Sequence, residues 1–250
     1  IDGNLFFLDT YLNREIFKSK KKLKSFINNY NVKFIITTPW IDYDDFNFLK
    51  NKKYTRNEIK EHFQEIKKII KSINPDVKLL AAIQSNIVSL NYETQDIIKN
   101  LNKISGGFHH YEINPSELIK TSNLNINESE LIFDKDNKIL FETFFHDRVY
   151  ENKQNIVEIA LPLKAYKNGH LFKKLKNQID FVIDEIGYDG IYIDQLNQYF
   201  ISPKHRTSFN GKNNNIAEID IYSGKVKKEY EDVTLNTHGF KNDVIEYALT

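Results

Sequence analysis

Short apolar runs of strand length alternate along this chain with segments whose apolar residues recur every three to four positions. Leu5 to Leu8 is the first run and stops on Asp9, and the lysine-rich segment behind it carries Ile16, Leu23, Phe26 and Ile27 at roughly helical spacing. Val32 to Thr38 is rich in β-branched residues and ends at a proline-broken loop with the single tryptophan, Trp40. Thr55 and Glu58 form a capping box ahead of Ile59, Phe63, Ile66, Ile69, Ile70 and Ile73, and Asn74-Pro75 stops that helix. Val77 to Ile83 is a third strand ending at Gln84, Ser85 and Asn86, with a helix expected from about Glu93 to Ile104.

Gly106-Gly107 opens a further strand, Phe108 to Ile113, after which residues 114–137 are polar and poorly periodic and read as an excursion. Ile139 to Phe145 and Ile156 to Leu161 are strand candidates whose sheet is left open. From Leu171 to Ile186 one helical face gathers Leu171, Leu175, Ile179, Val182, Ile183 and Ile186, and Gly187 stands where a left-handed cap belongs. Gly190 to Asp194 is the next strand. After a polar stretch over 196–215, Ile216 to Tyr222 and Lys225 to Tyr230 form a hairpin about Ser223-Gly224, and a last helix covers about Gly239 to Leu249.

Strands alternating with helices predict parallel βαβ units and an α/β fold. No G-x-G-x-x-G follows the first strand and no Walker sequence occurs, which favours a (β/α)8 TIM-barrel-like fold over a nucleotide-binding open sheet. Six main-sheet strands are expected in a single domain over 1–250, with a loop and hairpin insertion over 196–234, so the barrel is incomplete or continues past Thr250. The absence of any methionine, with Ile1 first, reads as a processed or excised part of a longer product.

In such a barrel the C-terminal strand ends face the active site, which makes Asp194 the leading catalytic candidate. Side chains alternate along a strand, so Tyr192 shares the face of Asp194 while Ile191 and Ile193 take the helix side. Glycoside hydrolysis needs a second carboxyl group, and Glu112 in "FHHYEIN" is the first choice, Glu142 in "ILFETFF" the second and Asp9 the third. Trp40 with Tyr43 and Phe46 could wall a sugar site, and Asp9, Gln84, Asn114, His170 and Gln195 complete the substrate-binding candidates. Against each of these stands a plainer role as a structural or exposed polar group.

Composition narrows the class. Hydrophobic residues make up 40% and charged residues 28%, as in soluble globular chains, and no apolar run approaches the roughly 18 residues a membrane span needs. The 35 basic and 34 acidic residues leave a net charge of +1, without the basic field that nucleic acid requires. There is no cysteine, hence no thiol nucleophile or thiolate metal site. Adjacent His109 and His110 would point to opposite strand faces, G-x-S-x-G is missing, and no cofactor is called for. A cation on Asp42, Asp44 and Asp45 is a remote alternative.

The stretch from Asn168 to Asp194, "NGHLFKKLKNQIDFVIDEIGYDGIYID", resembles a group of TIM-barrel glycoside hydrolases in which an Asn-Gly loop, a helix and a "G-x-D-G-I-Y-x-D" strand succeed one another. The later run "NGKNNNIAEIDIYSGKVKKEYEDVTLNTHGFKNDVIEYAL" is similar to the segment after that strand in those hydrolases. The resemblance implies a barrel glycosidase acting on an oligo- or polysaccharide, with Asp194 matching the acid at the strand end and Asn168 and His170 on the preceding loop. It implies a second acid directly after that aspartate, where this chain has Gln195. An amide cannot serve as a carboxyl in proton transfer, so a carbohydrate-binding or assembly module on a degenerate barrel is the competing expectation.

Overall fold

A computed structural model of the chain describes residues 3–10, 14–38, 55–85, 87–93, 126–146, 156–194, 207–209, 216–236 and 238–250. In chain order the elements are β1 (Asn4–Asp9), α1 (Arg14–Lys18), α2 (Lys20–Asn29), β2 (Val32–Thr38), α3 (Arg56–Ile73), β3 (Lys78–Gln84) and β4 (Ile87–Glu93). A 3-10 turn (Glu128–Glu130), β5 (Glu142–His146), β6 (Ile156–Pro162) and α4 (His170–Asp180) come next, α4 continuing into a π-helical turn (Phe181–Ile186). The chain then forms β7 (Gly190–Asp194), β8 (Thr207–Ser208), β9 (Ile216–Ile219), β10 (Val226–Asp232), α5 (Val233–Asn236) and α6 (His238–Leu249). It divides into two compact units, one of Ile1–Gln84 with Asn177–Asp194 and one of Ser85–Lys176 with Gln195–Thr250.

The first unit is a four-stranded parallel sheet in the order β1-β2-β3-β7. The order runs with the chain, without the reversal that marks the switch point of a doubly wound sheet. One face of the sheet carries Leu8, Ile35, Leu79, Ala81 and Ile83, all buried, as are Ile59, Phe63, Ile66 and Ile70 of α3. The capping box of α3 forms as its sequence dictates, with the Glu58 N–H donating to Thr55 Oγ1 at 3.2 Å and the Thr55 N–H to Glu58 Oε2 at 2.8 Å.

The opposite face is concave. Phe7 on β1 and Tyr192 on β7 belong to the two outer strands, which would lie about 14 Å apart in a flat sheet of this spacing. Their ring centroids are nevertheless 5.1 Å apart, edge to face. Side chains standing off a flat sheet cannot close that gap, so the strands curl toward this side.

Gly187 adopts φ 77°, the predicted left-handed cap, with its N–H and that of Tyr188 both donating to the Val182 carbonyl. The segment before it departs from the expected regular helix. Hydrogen bonding from i to i+5 over Phe181–Ile186 turns the chain through fewer degrees per residue, and the apolar stripe rotates accordingly. Ile183, expected inside, is 37% exposed, while Phe181 is fully buried under the Arg56 guanidinium, 4.3 Å from its ring centroid.

In the second unit the strand order corrects the expectation of six strands in one parallel sheet. Among the described residues, β4, β6 and β5 form an antiparallel sheet in that order, and β8, β10 and β9 form another. Strand β4 occupies a stretch for which no element is expected, and it ends on Glu93, the expected start of a helix. Its signal is present in the alternation of Val88, Leu90 and Tyr92 with Ser89, Asn91 and Glu93, the pattern of a half-buried strand. The hairpin of β9 and β10 turns at Gly224, φ 66°, as expected, and α6 is the expected last helix.

Candidate functional site

The C-terminal edge of the parallel sheet is assembled by register. Gln84 pairs with Asp194, Ala82 with Tyr192 and Leu80 with Gly190, while Phe7 pairs with Ile36 and Asp9 with Thr38. Residues paired across parallel strands share a face, and parity along each strand then places Phe7, Ile36, Ala82, Gln84, Tyr192 and Asp194 on the concave side. The expected sharing of one face by Tyr192 and Asp194 agrees with this register. Asp9 and Asp194 are the last residues of the two outer strands, each two positions beyond one of the rings in contact.

The site is built on small and buried residues. Ala82 is fully buried and Gln84 nearly so, at 8% exposure. A Cβ on Gly190 would stand 2.9 Å from Leu80 Cδ2, so glycine lets the Leu80 side chain lie across β7 at the base of this face. Beyond β1, Thr10 is buried and its Oγ1 lies 2.9 Å from His62 Nε2 on α3, tying the end of β1 to the helix layer.

The two aspartates of "GYDGIYIDQ" have separate roles. Asp189 lies before β7, at the far end from Asp194, and accepts from the Leu79 N–H at 3.0 Å while pairing with Lys71 at 2.8 Å and Lys78 at 3.3 Å. Burial alone would raise its carboxyl, but the Lys71 and Leu79 hydrogen bonds, with Lys78, outweigh it and hold the group below the usual carboxylate range. This aspartate staples β7 onto β3.

Other candidates fall elsewhere. Glu142 opens β5, paired with Ala160 of β6 in the second unit, and His170 begins α4 there, its backbone N–H donating to Glu130. Trp40, Glu112, Asn114 and Gln195, the strand 108–113 and the Asp42 to Asp45 cluster lie outside the described residues. Among the described residues no group of three His, Cys, Asp or Glu is placed to hold a metal, and no helix is long and apolar enough to cross a membrane.

Two features are additional to those expected from the sequence. Phe7 is 55% exposed on the concave face, and β1 ends two residues beyond it at Asp9. The second is a buried polar cluster in the second unit. Lys164 Nζ lies 2.8 Å from Glu231 Oε2, with both side chains almost wholly buried, and the Tyr166 hydroxyl donates to Glu231 Oε1 at 3.3 Å. Burial, with the charges of Glu231 and Glu130, pushes the Tyr166 phenol far up. Glu130, also buried, accepts from the backbone N–H groups of His170 and Asn127, an anion at the N-terminus of α4. No local pattern separates these charges from surface ones, because the partners are far apart in the chain.

Comparison of the chain with protein-family models, curated proteins and solved structures returns no match.

Proposed function

We propose that the parallel sheet is part of a (β/α)8-type barrel and that its C-terminal edge is the active face of a glycoside hydrolase acting on an oligo- or polysaccharide. The observation that carries this reading is the approach of the two outer strands through Phe7 and Tyr192, because each strand ends two residues later on an aspartate. Two carboxyl groups flanking one glycosidic bond are the minimum this chemistry requires, at roughly 5–5.5 Å for retention and roughly 6.5–9.5 Å for inversion. Asp194 serves as nucleophile or base. Asp9 is the partner best supported by strand position and takes the general-acid role ahead of Glu112, which stays a candidate. The chain-order succession of strands supports the barrel assignment, since barrels keep that order and doubly wound sheets reverse it.

The test is a reducing-sugar release screen across plant, fungal and bacterial polysaccharides with the wild type, Asp194→Asn and Asp9→Asn. Each substitution is expected to lower turnover at least about a hundredfold, the usual contribution of a positioned acid or base. Hydrolysis that survives Asp194→Asn at the wild-type rate refutes the mechanism, and survival in Asp9→Asn alone returns the partner role to Glu112.

A further inference from the structure

We propose that Phe7 and Tyr192 form a stacking platform for the apolar face of a pyranose ring, an inference that rests on reading the concave face as a carbohydrate site. An aromatic side chain on a sheet normally hides most of its surface, yet Phe7 leaves 55% of its own open on the concave side. Its contact with Tyr192 is edge to face, with the planes at 88°, a geometry that orients the two rings against each other. Leu5, two residues earlier on the same face, is 49% exposed and extends the apolar strip. One strand step toward the C-terminal edge, Gln84 and Asp194 stand paired in register.

This sequence of surfaces matches one ligand class. A pyranose whose axial C–H bonds gather on one side presents an apolar face to an aromatic ring and a rim of hydroxyls around it. Phe7 and Tyr192 supply the ring surface, and the partly exposed Asp194 carboxylate supplies acceptors for the rim. An aliphatic ligand would leave Asp194 facing hydrocarbon, and a polyanion would meet its charge. The platform also orders substrate along the site, since a ring held at Phe7 places its neighbouring linkage at the level of Asp9 and Asp194.

The experiment is saturation-transfer-difference NMR with titrated β-1,4-linked tetrasaccharides of glucose, N-acetylglucosamine and mannose, on the wild type, Phe7→Leu, Phe7→Tyr and Asp194→Asn, with hydrolysis recorded in parallel. At least one tetrasaccharide is expected to bind the wild type with its axial ring protons most strongly saturated. Phe7→Leu, which keeps apolar bulk without a ring, should weaken binding about tenfold. Phe7→Tyr should bind close to wild type, and Asp194→Asn should lose hydrolysis. Equal affinity in Phe7→Leu and wild type overturns the platform, even if hydrolysis is present and the glycosidase reading stands. Ring-dependent binding without hydrolysis upholds the platform and removes the enzyme. Failure of every tetrasaccharide to bind the wild type overturns the platform.

Discussion

Replacing Lys164 by methionine keeps the length and apolar stem of the side chain and removes its charge. In the wild type its ammonium sits 2.8 Å from Glu231 Oε2, with side-chain exposures of 4% and 1%, so solvent screens the pair weakly. The variant would leave the Glu231 carboxylate buried without that cation, the Tyr166 hydroxyl still donating to it at 3.3 Å. Removing one partner of a buried pair costs about 3–5 kcal/mol, a large fraction of the roughly 5–15 kcal/mol that holds a domain together. Replacing both ions together should cost far less, because the desolvation of two charges is then avoided. The double variant Lys164→Met with Glu231→Leu is therefore expected to recover most of the loss.

Urea denaturation monitored by circular dichroism at neutral pH measures the single and the double variant. A single variant within about 1 kcal/mol of wild type, or a double variant no better than the single one, would refute the idea that this pair acts as a unit.

Three further outcomes are expected. Asp189→Asn should lower stability by about 1–3 kcal/mol, because the Lys71 and Lys78 cations lose their counter-charge and one acceptor of the Leu79 N–H is weakened. Since the folded Asp189 carboxyl titrates below its unfolded value, its contribution is present above the unfolded pKa and fades as pH falls through the folded one, so the variant should show a flatter acid limb in pH-dependent melting. Thr55→Ala should cost about 1 kcal/mol by removing the cap of α3, read by thermal denaturation, with Thr55→Ser restoring it. Gly187→Ala should cost about 1 kcal/mol or more for a side chain at φ 77°, with the added Cβ 2.8 Å from Lys67 Nζ displacing the lysine from the Gly187 carbonyl, and an unchanged melting temperature would contradict it.

Local chemistry made much of the first unit readable. The Thr55–Glu58 box, the Gly187 cap and the strands on either side of α3 each depend on groups within a few residues of one another, and each stands where its residues indicate. The π-helical turn has no such signal, because the stripe Leu171, Leu175, Ile179, Val182 and Ile186 fits a regular helix about as well as a widened one. Strand β4 has a clean alternation of its own, but it begins only three residues after β3 ends at Gln84, where a crossover helix is the usual continuation of a parallel strand.

At the candidate site, parity along one strand was enough to join Tyr192 to Asp194. Parity says nothing about which other strand lies opposite. The meeting of Phe7 with Tyr192 depends on how far the sheet curls, and the burial of Lys164 with Glu231 depends on two segments distant in the chain coming together.

By itself the amino-acid sequence determined where most of the helices and strands of the parallel unit begin and end, that strands alternate with helices there, and that a carboxylate closes β7. Those properties arise from backbone preference, capping and period, all of which act over one or two turns of chain. Tertiary structure alone decided which strands run parallel in one sheet, which outer strand lies opposite Asp194, and which charges are buried. These are settled by packing between distant segments, where the apolar surface removed from water and the desolvation of paired charges are properties of the assembled unit.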